Sequence, residues 1–115
     1  MPLLRVDRTG VAIVGATNPG AMLWDRDNLA GRLHIRDIVP EVAREVRAVR
    51  DRADAVVVVM HSGLGERSSY DTVATDVSSE NVGARVAREV PGVDLIVIGH
   101  SHREIADTVI NGVTI

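Results

Sequence analysis

Three short apolar runs rich in β-branched residues, at 11–15, 55–60 and 93–98, constrain this chain more than any other feature of its 115 residues. None alternates apolar with polar, as a half-exposed strand would. The four valines at 56–59 and the Leu-Ile-Val-Ile at 95–98 are apolar on both faces, the pattern of parallel strands buried on both sides. Two stretches of helical periodicity separate them. Ile38, Val42, Val46, Val49 and Ala53 form a stripe over 37–52, with Asp37 as the expected N-cap and Pro40 in a first turn that tolerates its missing N–H. Arg44, Glu45, Arg47 and Asp51 then form a solvated outer face. Val82, Val86 and Val90 form a second stripe over 79–90, with Ser78 or Ser79 as cap and Pro91-Gly92 as stop. Strand, helix, strand, helix, strand predicts an α/β fold with a mostly parallel sheet and flanking helices.

Composition narrows the function classes. A charged fraction of 25% and a hydrophobic fraction of 45% suit one globular domain. No apolar run reaches the ~18 residues of a membrane helix, and MPLLRVDRTG lacks the h-region of an export signal. Without cysteine there is no disulfide, thiolate metal site or cysteine nucleophile. Thirteen arginines scattered among sixteen acids give a net charge of -3, which argues against a nucleic-acid polymer as partner. One Trp, one Tyr and no Phe leave the core to Val, Ile, Leu and Ala, and supply few rings for stacking on bases.

Two connections are long for such a unit. Residues 17–36 carry Asn-Pro-Gly and Trp24, and residues 62–77 have no periodicity; loops beyond ~12–15 residues in compact domains are usually functional or disordered. Asn111-Gly112 predicts a hairpin turn, followed by the start of another strand at 113–115. A strand so near the chain's end leads us to expect a piece of something longer.

Three of the four histidines follow strands: His61 after the second, His100 and His102 after the third. Ligand sites in parallel sheets lie beyond the carboxyl ends of strands, so the three are expected on one rim. A lone histidine there is ordinarily just a polar loop residue; imidazoles gathered without cysteine point instead to zinc, manganese, iron or nickel. His34 is the ordinary case. Asp71 and Asp76 read as loop carboxylates, and Glu80 as a first-turn charge that suits the helix dipole. GATNPG after the first strand is not the G-x-G-x-x-G of a dinucleotide turn. Ser62 and Ser101, each beside a histidine, lack the G-x-S-x-G elbow of a serine hydrolase.

HSGLG after the Val-rich strand, then SSEN, then VPGVDLIVIGHSH resembles the calcineurin-like metallophosphoesterase domain. GVAIVGATNP, LWDRDNLAGRL and DIVPEVAREV resemble its 5′-nucleotidase and 2′,3′-cyclic-nucleotide 2′-phosphodiesterase/3′-nucleotidase group, with WD..NL.G nearer the cyclic phosphodiesterase branch. The resemblance covers about residues 10–113. It implies an enzyme that hydrolyses nucleotide phosphate esters with two divalent metal ions, His61 and His100 serving one and His102 the other. The Asp-x-His, Gly-Asp and Gly-Asn-His motifs that complete the family's site are absent from this sequence, as is its C-terminal nucleotide-binding domain. Residues 1–115 are therefore expected to be a single partial domain, the C-terminal part of a metallophosphatase α/β sandwich, inactive and a weak metal binder alone. The resemblance also implies a periplasmic or cell-surface location. A non-catalytic accessory or split-domain module is the other reading open at this point.

Overall fold

The computed structural model describes residues 3–6 and 9–115, and in it the three apolar runs lie side by side. Met1, Pro2, Asp7 and Arg8, with part of the stretch read as lacking an export signal, lie outside the described residues. The elements follow in order: β1 (Leu3–Val6), β2 (Thr9–Ala16), α1 (Ala21–Trp24), α2 (Arg26–Leu29), α3 (Ile38–Val49), β3 (Ala55–His61), α4 (Thr72–Thr75), α5 (Gly83–Glu89), β4 (Leu95–Gly99), β5 (Val109–Ile110) and β6 (Val113–Thr114). The sheet runs β1-β2-β3-β4-β6-β5. The pairs β2–β3, β3–β4 and β4–β6 are parallel, while β1 and β5 run antiparallel at the two edges. The predicted parallel α/β sheet is present, and the Asn111-Gly112 turn joins β5 to β6 with positive φ at both residues (51° and 75°). Among the described residues no helix is long and apolar enough to cross a membrane.

Helix α3 packs on β2 and β3, and α5 on β4. Both stripes are buried as predicted: Val42, Val46 and Val49 from one, Val82, Val86 and Val90 from the other. They meet Ala12, Val14, Val56, Val58, Met60 and Ile96, the alternate residues of the three central strands. The register sets Val14 opposite Val58 and Val58 opposite Ile96, so this buried face is continuous.

The expected burial on both faces is not found. Val59 is 41% exposed, Val97 47% and Leu95 37%, because both helices cover the same side. The other side is an apolar face that the described residues leave open. The solvent-accessible surface, 7278 Å², accordingly exceeds the ~6,100 Å² of a compact chain of this mass.

Helix boundaries differ from the periodic pattern for local reasons. The first pattern ends in a 3-10 turn at Arg50–Arg52. Asp37 holds the N-cap position of α3 but makes no capping hydrogen bond, and its Oδ1 has no partner. A cap normally reaches the second or third helical N–H, and the third position here is Pro40, which has none. The second helix begins at Gly83 rather than Ser79, and neither Ser78 nor Ser79 caps it. Its first donors are taken by the HSGLG segment: Val82 N–H donates to Ser62 Oγ (2.9 Å), Gly83 N–H to the Gly63 carbonyl (3.0 Å) and Ala84 N–H to that of Leu64 (2.7 Å). The connections read as loops contain the single turns α1, α2 and α4. Asp71 Oδ1 caps the last of these by accepting from Val73 and Ala74 N–H, both at 2.9 Å.

Two aspartates lock the parallel register where strands begin. Asp54 accepts from Gly10 N–H on β2 (2.7 Å) and returns its own N–H to the Gly10 carbonyl (2.8 Å). Asp94, just before β4, does the same with Val56 on β3, at 2.8 and 2.9 Å. Arg50 donates to Asp94 Oδ2 (2.8 Å) and to the Gly92 carbonyl (2.7 Å). The Arg50 guanidinium and the Val56 N–H hold the Asp94 carboxyl below its ordinary range. Asp94→Asn keeps an acceptor for Val56 but removes the charge, so it should lower unfolding free energy by about 1 kcal/mol at pH 7, a figure discounted for solvent screening. A folded pKa below the unfolded value of about 3.9 gives stability that is present above that value and lost as pH falls through the folded one. Urea titrations of parent and variant should therefore converge in acid; a pH-independent gap would mean that charge is not the cause.

Candidate functional site

At the carboxyl ends of β3 and β4, His61 pairs in register with Gly99, and His100 follows directly. His61 is the last residue of β3 rather than the first beyond it. Two-residue periodicity puts it on the side of Val57 and Val59, at the end of the open sheet face. His100 turns back at φ 136°, a region that non-glycine residues rarely occupy. That turn brings His100 Nδ1 to 3.2 Å from His61 Nε2, with ring centroids 4.9 Å apart.

Three other side chains fix the His100 ring. Glu80 Oε2 lies 2.7 Å from its Nε2. Trp24 stacks on it, centroids 5.6 Å apart and planes 28° from parallel. Tyr70 meets Trp24 edge-on at 6.0 Å and donates its hydroxyl to the Ser78 carbonyl. The chain's one Trp and one Tyr thus serve a histidine rather than the core. Gly20 permits this, because a Cβ there would strike the Trp24 indole.

Glu80 is 5% exposed. Burial pushes its carboxyl up, but the Ser69 N–H on Oε1 and the His100 ring outweigh it and keep the group below the usual carboxylate range. Burial, with the nearby Glu80 charge, pushes the Tyr70 phenol up to about 12, so it remains a neutral donor.

Buried amides and a buried hydroxyl hold this arrangement from behind. Asn18 Nδ2 donates both to the His61 carbonyl (3.0 Å) and to that of Glu80 (2.9 Å), while its Oδ1 accepts from Gly20 N–H (2.9 Å). Ser62 Oγ donates to the Glu80 carbonyl (2.8 Å). Asn81 Oδ1 accepts from Gly63 N–H at 3.1 Å. A Cβ on Gly63 would run into that same oxygen, which explains the glycine in HSG. Ser62 is thus a structural donor, as the missing elbow implied.

Of the three predicted site residues, His61 and His100 come together and His102 does not join them. His102 is exposed, with φ 56°, and among the described residues no group of three or more His, Asp or Glu side chains is gathered to hold one metal. The His61–His100 pair does suit a cation: two nitrogens each ~2.0–2.1 Å from one ion at tetrahedral or right angles stand about 3–3.4 Å apart. Glu80 is a corrected reading, since it lies outside α5 and reaches the site rather than the helix dipole. Asn18 and Trp24 were not picked out as site residues, although both stand in motifs that carried the resemblance. His34, Arg36 and Glu41 line a groove between the end of β2 and α3. That groove lies away from the paired histidines.

No family model matches the chain. It is 38% identical over 93 residues, 80% of its length, to a 2′,3′-cyclic-nucleotide 2′-phosphodiesterase/3′-nucleotidase of Salmonella typhimurium. It is 32% identical over 94 residues, 81% of its length, to the protein of that name from Haemophilus influenzae. The chain spans 13% of the length of each of these relatives. Among solved structures, the calcineurin-like phosphoesterase YfkN from Bacillus subtilis shares the fold, with a TM-score of 0.74 and 24% identity over 92% of this chain and 34% of that one.

Asn18→Ala would remove one donor from the His61 carbonyl, one of the two donors from the Glu80 carbonyl, which keeps Ser62 Oγ, and the acceptor of Gly20 N–H, and should cost about 2–4 kcal/mol. Urea unfolding measures that loss, and the His61 and His100 resonances should broaden well below the midpoint. Unchanged stability would show that the amide is not what ties the rim together.

Proposed function

We propose that this chain belongs to the calcineurin-like phosphoesterases and is the C-terminal part of a metallophosphatase domain that hydrolyses phosphate esters of nucleotides. The observation that carries the reading is the His61–His100 pair, with facing nitrogens 3.2 Å apart at the carboxyl rim of a parallel sheet. His61 and His100 would hold one divalent cation there, and His102, exposed two residues on, would serve a second. When bound, such ions generate a nucleophile at neutral pH and stabilise the charge on phosphoryl oxygens. The chain's own part is to orient two imidazoles and to shield one face of His100 with Trp24. Donors without a thiolate suit zinc, manganese, iron or nickel.

The open face of the sheet supports the partial-domain reading. Val57, Val59, Leu95 and Val97 form an apolar surface that sheet-on-sheet packing would cover, and the relatives are several times longer than this chain. A second sheet from the rest of the protein would cover the valines and bring further ligands to His61, which stands at the end of that face. The substrates proposed are 2′,3′-cyclic and 3′-nucleotides, as the two relatives' names suggest, with 5′-nucleotides next. The proposed site of action is the periplasm or the cell surface.

The intact protein should release phosphate from a 3′-nucleotide with zinc or manganese, and lose that activity in EDTA. Removing a residue that merely supports a ligand typically costs 10–100-fold, so His100→Ala should cost at least about 100-fold. The 115-residue chain alone should show no turnover and bind zinc weakly in calorimetry. Release of phosphate from no cyclic, 3′- or 5′-nucleotide by the intact protein would defeat the proposal, and turnover by the isolated chain would defeat the partial-domain reading.

A further inference from the structure

We propose that Glu80 is a positioning residue: it holds the His100 ring by Nε2–H and so leaves Nδ1 as the bare nitrogen that faces His61. The inference rests on the phosphoesterase reading for its purpose, but not for its geometry. A neutral imidazole carries one proton, and the partner of one nitrogen decides which. At 2.7 Å from a carboxylate, which can only accept, His100 Nε2 must be the donor. Its Nδ1 lone pair then points at His61 Nε2. A carboxylate behind a histidine is also the usual support of a metal-binding imidazole.

Glu80 is unusually well fixed for this task. Oε1 accepts from Ser69 N–H, which leaves Oε2 for the ring. Its backbone N–H donates to Ser68 Oγ (3.3 Å), and its carbonyl accepts from Asn18 and Ser62. Trp24 closes one face of the same ring. The carboxylate cannot swing away without breaking several of these bonds, and the ring cannot flip without abandoning its acceptor.

His61 is in the opposite situation. Facing a bare Nδ1, its Nε2 must donate the hydrogen bond between the rings when no cation is present. To share a cation with His100 it has to move its proton to Nδ1. The two histidines therefore differ: one is set in advance, and the other changes tautomer on binding.

The test uses the intact protein labelled with ¹⁵N at histidine. Long-range proton–nitrogen correlations should show His100 as the Nε2–H form in the parent and as a mixture of the two forms in Glu80→Gln, whose single amide oxygen cannot accept from both Ser69 N–H and the ring. Glu80→Ala should populate the Nδ1–H form, with the His34 signals unchanged as a check on folding. Zinc affinity should fall about 10–100-fold in Glu80→Ala and by less in Glu80→Gln, while zinc moves the His61 proton from Nε2 to Nδ1 in the parent. An Nδ1–H form of His100 in the parent would overturn the proposal, as would parental tautomer and affinity in Glu80→Ala. If Glu80→Ala fails to fold, the parent and Glu80→Gln spectra decide alone. Absence of zinc binding by the parent, with the expected His100 tautomer, would defeat the phosphoesterase reading while upholding Glu80's hold on the ring.

Discussion

The rim of this sheet depends on one buried primary amide. The two N–H bonds of Asn18 go to the carbonyls of His61 and Glu80, residues from different parts of the chain. Glu80 then reaches His100, and His100 reaches back to His61. Four residues close a circuit of hydrogen bonds in which each fixes the next. Buried polar groups of this kind are costly when unpartnered and specific when satisfied. The circuit is why side chains 39 residues apart meet at hydrogen-bond distance rather than somewhere in the neighbourhood.

Below the rim, strand register does the same work at longer range. Side chains alternate along β3, so Val56, Val58 and Met60 enter the core while Val57, Val59 and His61 face the other way. A slip of one residue would exchange the two sets and bury the imidazole. Asp54 and Asp94 prevent that slip where strands begin, each trading two hydrogen bonds with a residue of the neighbouring strand. The site and the core are therefore alternatives along one strand, settled by the same register.

Much of this was legible in the sequence. The Val-rich runs, the two stripes, the parallel order and the 111–112 hairpin follow from periodicity and turn chemistry, which are local. Three histidines at strand ends pointed to the carboxyl rim, where two of them, His61 and His100, meet. Glu80 was not legible, because its position looked like the first turn of a helix and only the distant Ser62–Leu64 segment delays that helix to Gly83. Asn18 was hidden for the same reason: its partners lie 43 and 62 residues away. Asp37 failed as a side-chain cap although it stands at the right position, with a proline where one of the donors should be. The runs at 56–59 and 95–98 were correctly read as apolar on both sides, but composition cannot tell which side a 115-residue chain can cover. Trp24 stood out by its scarcity and its motif and Tyr70 by scarcity alone; their use against an imidazole needed the turn at Gly20 to be seen.

The backward turn at His100 has a consequence for how this protein can change. A side chain at φ 136° costs about 1–3 kcal/mol relative to a residue at ease there. Glycine would relieve that cost and would simply extend the Gly99 that precedes it. Selection for thermal robustness alone would favour the replacement, and it would delete the ring on which Glu80, Trp24 and His61 converge. Position 100 is thus a place where robustness and chemistry pull in opposite directions. A screen that ranks variants by melting temperature would there enrich the chains that have lost this ring.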